Sequence, residues 1–578
     1  MVSPFSTAAR RIARRAPSLL LALSCLFAAH TSHAQRPTAV WPYAGRGESV
    51  VARHGMVVSD APIASRVGAE ILKRGGNAVD AAVATAFALA VVYPEAGNIG
   101  GGGYMVIHRP NGRSAALDFR ETAPLAATRD MYVAPDGTVS QASLVGPLAS
   151  GVPGAVAGLT AALTRYGSLP LATVLRPAIQ LAERGFVVDS AFSRRLAEYA
   201  PTLERFAGRD VFLPDSQPLK PGTVLRQPAL ARTLRAIAKK GRAAFYAGPI
   251  AEAWTRELSA AGGIITMDDL RRYRAEWRQP VRTTYRGNTV LAMPPSSSGG
   301  VTMTETLNIL EGFDPLPPYG STRWAHLLGS AFQRAFVDRN AKLGDPAFVS
   351  VPLAQLTDKR YAARLRATIG DARATPTSAL TALGEGNHTT HVSVADAKGG
   401  AVALTTTIND LYGSQVYLAS AGFFLNDEMD DFTSRPGVPN MYGLVQGEAN
   451  AIAPGKRMLS AMSPTIVLDS RGRVLLVAGS RGGPRIITST TEVVLNVLDY
   501  HMPIADALRA PRLHHQALPD TLRFEARGVA SAVADSLRAM GYGVDVSGTV
   551  GSVNALLRVR GGWEGMADPR GSGRPAGY

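Results

Sequence analysis

The sequence predicts a mixed α/β protein, whose length alone suggests three or four domains and also allows one large unit with elaborations, and three observations carry the fold class. The chain has 578 residues with 46% hydrophobic and 18% charged content, ordinary globular material with length for a sizeable core. Residues 61–92 read as two helices, the second alanine-rich and apolar on most faces. From residue 389 onward the pattern turns to period-two strands, with hairpins around Asp396-Ala397-Lys398-Gly399-Gly400 and Ser470-Arg471-Gly472. Fifty-eight glycines and 38 prolines suit a loop-rich enzyme better than a helical bundle.

The N-terminus has the form of an export signal over residues 1–34. Arg10, Arg11, Arg14 and Arg15 precede an apolar run over 19–29, and Ser32-His33-Ala34 makes a small-x-small site before Gln35. The run is too short to span a membrane, and an anchor helix is the competing reading. The paired arginines fit Tat as well as Sec export, so a periplasmic or secreted protein is expected. Cys25, the one cysteine, lies in this segment. The mature chain then has no disulfide, no thiol nucleophile and no thiolate metal site. Removal of four arginines and no acid takes the formal charge from +16 to +12. Basic residues are scattered among acids without aromatic interleaving, so nucleic acid is not an expected partner, whereas an anionic small substrate fits.

The elements follow in order. Residues 50–58 read as a strand, and the helices over 61–92 break at Gly75-Gly76-Asn77, with Pro62 in a first turn. Gly100-Gly101-Gly102-Gly103 precedes a strand over 105–108 and lacks a Walker lysine or dinucleotide spacing, so tight packing is expected there. A strand over 115–119 delivers Arg120-Glu121, either a fork for a carboxylate or a structural salt bridge. After a helical stretch over 150–260, Ser296-Ser297-Ser298 opens a helix over 301–310. No Gly-x-Ser-x-Gly elbow surrounds these serines, which read as caps. Residues 320–345 are helical, and 370–388 lose periodicity as an exposed linker open to cleavage.

Strands over 391–395 and 401–407 centre near Lys398, which sets Thr389 opposite Thr407 on one face. A second hairpin pairs 465–468 with 474–478 and delivers Gly479-Ser480-Arg481-Gly482-Gly483. Between the hairpins lie Asn426-Asp427-Glu428-Met429-Asp430-Asp431-Phe432 and a proline- and glycine-rich loop over 436–447. Helices over 486–501 and 529–540 and a last strand over 554–558 complete the chain.

The linker and the threonine pair point to a cut before Thr389. A threonine hydroxyl is a weak nucleophile without an adjacent base, but an N-terminal threonine carries one in its α-amine, with a reference pKa of about 7.7 to 8.0. Such a site needs neither metal nor histidine, and no cofactor is expected. It does need an oxyanion hole, for which the N–H groups of Gly482-Gly483 are candidates. The plain alternative is two β-formers entering a strand. His388 and His391 lack a HExxH setting for zinc, and the acidic run lacks EF-hand spacing. As a helix, that run sets Asp427 and Asp431 on one face, toward solvent or an ammonium group. His514-His515 reads as structural.

Thr389-Thr390-His391-Val392-Ser393-Val394 resembles the γ-glutamyltranspeptidases (glutathione hydrolases), members of the N-terminal nucleophile hydrolases. Asp118-Phe119-Arg120-Glu121, residues 293–300, 426–432 and 459–464, Ala510-Pro511-Arg512, Asp568-Pro569-Arg570 and Gly577-Tyr578 extend the likeness over nearly the whole mature chain. The resemblance implies an αββα four-layer sandwich. It also implies autoproteolysis into a large subunit, 35–388, and a small one, 389–578, which stay together as a heterodimer in one αββα unit. It further implies that Thr389 is the nucleophile, oriented by Thr407, with Gly482 and Gly483 as oxyanion hole. Arg120 and Ser460 would hold the α-carboxylate of a γ-glutamyl group, while Asn409, Glu428 and Asp431 hold its ammonium and Tyr442 closes a lid over it. Glutathione and γ-glutamyl compounds are the implied substrates, with water, amino acids or dipeptides as acceptors. Two residues depart from the pattern, Ala461 where a second serine is usual and Arg481 where proline is common. They raise the alternative of a glutaryl or cephalosporin acylase or another γ-glutamyl amide hydrolase. A non-enzymatic secreted precursor is a further alternative.

Overall fold

The computed structural model describes residues 41–377 and 389–578. The expected signal with Cys25, most of the later linker and His388 of the expected cut lie outside the described residues. In chain order the strands that position the site are β1 (Ser49–Ala52), β2 (Met56–Ser59), β3 (Gly102–His108), β4 (Ser114–Phe119), β5 (Glu276–Arg278), β6 (Val281–Tyr285) and β7 (Asn288–Ala292). They continue with β8 (Thr390–Ala395), β9 (Ala401–Thr407), β10 (Thr465–Leu468), β11 (Val474–Arg481), β12 (Ser552–Val559), β13 (Gly562–Ala567) and β14 (Arg574–Gly577). They form two seven-stranded sheets with the orders β14-β2-β8-β9-β3-β4-β5 and β1-β13-β12-β11-β10-β7-β6.

Period-two alternation builds the layers. Val392, Val394, Val402 and Leu404 of the first sheet pack outward with Met105 and Ile107 against helices α1 (Pro62–Lys73) and α2 (Ala78–Val92). Their neighbours Ala395, Ala401 and Ala403 face the second sheet, meeting Ile466, Val477 and Leu556. On the far side Val467, Leu476 and Val553 pack against α3 (Gly299–Leu310) and α4 (Arg485–Leu498). The result is helices, sheet, sheet, helices, the expected αββα sandwich. Every residue of α2 is buried, as its all-round apolar sequence requires, and Asn77 with Asp80 forms a capping box at its start. No helix among the described residues is long and apolar enough to cross a membrane.

The β8–β9 hairpin has the expected register: Thr390 pairs with Thr406 and Ala395 with Ala401. One step beyond, Thr389 stands opposite Thr407. The glycine run packs beneath this strand. A Cβ on Gly101 would lie 1.9 Å from the Thr407 carbonyl oxygen, and one on Gly103 would lie 2.2 Å from that of Thr405.

Two expectations need correction. Residues 50–58 are two strands in different sheets, β1 and β2, because the chain bends at Arg53-His54-Gly55 to cross from one sheet to the other. The strand over 554–558 is not the last. β13 and β14 follow it, and β14 closes the edge of the first sheet by pairing with β2. A hairpin for which no strand is expected, β6–β7, also follows period-two alternation, Val281, Thr283 and Tyr285 alternating with exposed Arg282 and Thr284.

Candidate active site

The alternation that buries Val392 against the helices turns Thr389, His391 and Ser393 toward the second sheet. The small residues between the sheets give way here to polar ones. His391 engages the Thr405 and Ser393 hydroxyls through its two ring nitrogens at 2.8 and 3.1 Å, and burial holds its pKa down at about 3. It is a neutral structural group. Thr390 points the other way, and its hydroxyl donates to Asp60 Oδ2 at 2.7 Å. The pair is thereby sorted, with Thr390 tied to the scaffold and Thr389 facing a cavity.

That cavity is narrow, with about 20 Å³ open to water. Thr389 and Thr407 line it together with Arg120, Asn409, Glu428, Asp431, Tyr442, Ser460 and Gly483. Nine of the ten residues singled out in the sequence therefore meet at one place. Gly482 stands just outside the lining, and its carbonyl accepts the Arg485 N–H at the start of α4. Gly482 and Gly483 have φ of +131° and +55°, a left-handed backbone that favours glycine.

Each contributing side chain is held from behind. The Thr407 hydroxyl accepts the Asn409 N–H at 2.8 Å, which leaves its own hydrogen to donate elsewhere. Asn409 takes φ +76° and donates through Nδ2 to the Asp427 carbonyl at 3.0 Å, while Asp427 Oδ1 accepts the Asp410 N–H at 2.9 Å. The acidic run forms a short 3-10 turn, Glu428–Asp431. The serines expected to cap α3 have other partners. Ser297 Oγ donates to the Met462 carbonyl at 2.6 Å and also accepts the Gly299 N–H at 3.2 Å, while Ser298 Oγ donates to the Ser460 carbonyl at 2.6 Å. They lock residues 460–462 in place.

Arg120 is the electrostatic centre. Its guanidinium is buried and paired with Glu428 and Asp431, with Glu121 at 3.5 Å. The salt-bridge reading of the Arg120-Glu121 pair thus holds, in a group that also lines the cavity. Burial works against the Arg120 charge, but Glu428, Asp431 and Glu121 outweigh it and hold its pKa well above the usual value. Burial also raises the pKa values of Glu428 and Asp431.

The loop over 436–447 is fastened to this turn. Asn440 Nδ2 donates to Asp431 Oδ1 at 3.2 Å, the Met441 N–H to Asp430 Oδ2 at 2.8 Å, and Gln446 Nε2 to the Asp431 carbonyl at 3.1 Å. Tyr442 is thereby held buried in the cavity wall, 3% exposed. Arg481 has a partner as well, its Nε lying 3.4 Å from Asp60 Oδ1. Asp60 thus joins the residue before the glycine pair to the residue after Thr389.

The γ-glutamyltranspeptidase family model matches residues 64–578. The chain belongs to the γ-glutamyltranspeptidase family. A glutathione hydrolase proenzyme of Pseudomonas sp. (strain A14) is 48% identical over 517 residues, 88% of this chain and 87% of that one. A glutathione hydrolase proenzyme of Escherichia coli (strain K12) is 46% identical over 532 residues, 90% of this chain and 91% of its own. Among solved structures, a cephalosporin acylase from Bacillus halodurans superposes with a TM-score of 0.81 at 27% identity, covering 93% of this chain and 98% of that one. γ-Glutamyltranspeptidase family membership and the αββα sandwich therefore agree.

Sequence reasoning missed two residues of this neighbourhood, Arg339 and Asp60. Arg339, on the helix α5 (Thr322–Lys342), lines the cavity although an arginine on a helix reads as solvated. Asp60 supports Thr390 from an element whose approach is a tertiary matter. No local signal marks either of the two.

Proposed function

We propose that this chain is an exported γ-glutamyltransferase and glutathione hydrolase, periplasmic or secreted, made as a precursor and cut between His388 and Thr389. The observation that carries this reading is a single cavity joining Thr389 and Thr407 to Arg120, Glu428, Asp431 and Ser460. A hydroxyl nucleophile stands beside a set of charges suited to a zwitterionic glutamyl head.

In maturation the Thr389 hydroxyl attacks the His388 carbonyl carbon. The C–N bond between them breaks as the nitrogen takes a proton, and water hydrolyses the resulting ester. The freed α-amine then serves as the base of catalysis. Thr389 Oγ attacks the γ-carbonyl of the substrate and passes its proton to that amine. The negative charge gathering on the former carbonyl oxygen meets the N–H groups of Gly482 and Gly483. The leaving amine takes the proton as the amide bond breaks, leaving a γ-glutamyl ester on Thr389. Water releases glutamate from this ester, whereas an amino acid or dipeptide takes the γ-glutamyl group into a new amide.

Arg120 and Ser460 hold the α-carboxylate, Asn409, Glu428 and Asp431 the ammonium, and Tyr442 covers the bound group. The large subunit, 35–388, and the small one, 389–578, stay associated as a heterodimer. The acylase alternative gains from Ala461 and from the cephalosporin acylase likeness. It is disfavoured because Glu428 and Asp431 serve an ammonium that a glutaryl group lacks.

Two measurements test the reading. On a denaturing gel the wild-type protein resolves into a large and a small band, and Thr389→Ala stays single; a wild-type chain that stays whole for days sinks the maturation step. Release from γ-glutamyl anilide is expected to outrun release from glutaryl anilide, and the opposite order would hand the site to the acylase reading.

A further inference from the structure

Arg339 lies on α5, far in sequence from every motif used above, yet it is 1% exposed and lines the cavity. Its Nε donates to Ser298 Oγ at 2.9 Å and its Nη1 to Asn340 Oδ1 at 2.8 Å and, less directly, to Gln446 Oε1 at 3.4 Å. Its Nη2 is buried and has no hydrogen-bond partner among the described residues. A buried guanidinium nitrogen without an acceptor costs free energy that an anionic ligand relieves.

Its position identifies the ligand group. Ser298, which takes the Arg339 Nε–H, gives both its N–H and its hydroxyl to the Ser460 carbonyl at 2.7 and 2.6 Å. Arg339 is thus one side chain removed from the Ser460-Ala461 segment, where the usual second hydroxyl is absent. Arg120 already faces three carboxylates, Glu428, Asp431 and Glu121. Arg339 faces Asn340 and Gln446, neutral amides, and Asp431 acts on it as an opposite charge at longer range.

We propose that Arg339 is a specificity-determining residue whose Nη2 N–H donates to the substrate α-carboxylate beside Ser460, taking the place of the hydroxyl that Ala461 lacks. This assignment rests on the γ-glutamyl reading. It selects acyl groups with a carboxylate on the carbon that carries the ammonium, and it shares that carboxylate with Arg120 so that neither guanidinium must leave its own partners.

The test compares R339M and R339K with the processed parent enzyme. It uses γ-glutamyl anilide kinetics and competitive inhibition by L-glutamate and by its α-carboxamide, which keeps the ammonium and loses the carboxylate charge. R339M is expected to raise KM about ten- to hundredfold with kcat held within about threefold. It weakens inhibition by glutamate to the same extent and leaves that by the carboxamide within about twofold. R339K recovers part of the loss, since a point charge replaces the fork. An unchanged KM, a loss in kcat alone, or equal losses for glutamate and the carboxamide would each overturn the assignment. If R339M fails to mature, the ratio of glutamate to carboxamide inhibition in R339K decides the matter in the same way. A parent that does not cleave γ-glutamyl anilide defeats the functional reading itself, whereas an active parent indifferent to Arg339 defeats only this proposal.

Discussion

At the level of single residues, the two threonines at positions 389 and 390 have opposite environments because strand side chains alternate. Thr390 gives its hydroxyl to Asp60, and Thr389 faces the cavity with Thr407. Thr407 accepts the Asn409 N–H and keeps a hydrogen to donate, which suits the orienting role proposed for it. Thr407→Val removes that donor while keeping shape. It is expected to lower kcat about ten- to hundredfold, roughly 1.4 to 2.7 kcal/mol in the barrier, with KM little changed. Steady-state kinetics on a γ-glutamyl anilide measure the split, and a loss confined to KM would contradict the orienting role. The threonine pair, Arg120 and the acidic run were readable as chemistry from their types and from the family likeness. Arg339 was not, because burial of an arginine on a helix depends on which elements cover it.

At the level of elements, the 3-10 turn Glu428–Asp431 and the loop over 436–447 act as a unit. Asp430 Oδ2 holds the Met441 N–H, and its Oδ1 accepts the Ser143 hydroxyl at 2.8 Å. Burial pushes the Asp430 pKa from its ordinary 3.8 to about 6. Because the folded value is the higher one, the contribution of this group to stability is fully present below about pH 4. It is lost as pH rises through about 6, by about 3 kcal/mol. Asp430→Asn keeps an oxygen for Met441 and gives its amide hydrogens to Ser143. Thermal melts from pH 4 to 8 should therefore show the variant flatter than the wild type over this window and at least as stable near pH 7. A wild-type-like slope would assign the pH dependence to other acids.

The glycine run supplies a second prediction at this scale. Gly101→Ala would drive a Cβ to within 1.9 Å of the Thr407 carbonyl, so β9 must shift. The expected outcome is a chain that fails to mature, or that melts lower by about 1 to 3 kcal/mol, the usual cost of overpacking. An unaffected gel pattern and melting curve would refute it.

At the level of the whole molecule, both sheets interleave strands from either side of position 389. β8 and β9 lie between β2 and β3, and β10 to β13 fill the space between β7 and β1. A cut at 389 therefore leaves two chains that share both sheets, and neither has a sheet of its own to close. The cut protein is expected to elute as one species in size-exclusion chromatography without any disulfide, and to separate only on denaturation. Elution of two folded subunits would contradict the interleaving.

The sequence by itself determined the class of chemistry, the hairpin that presents Thr389, the two packed helices over 61–92 and the family. These rest on local rules, alternation, turn residues and motif spacing, which need no knowledge of distant neighbours. Only the tertiary structure decided that residues 50–58 divide between two sheets, that the C-terminal strand closes the first sheet, and that Asp60 and Arg339 reach the site. Each of those depends on which distant segments meet. That choice follows from burying all faces of two sheets at once, and no single stretch of the chain records it.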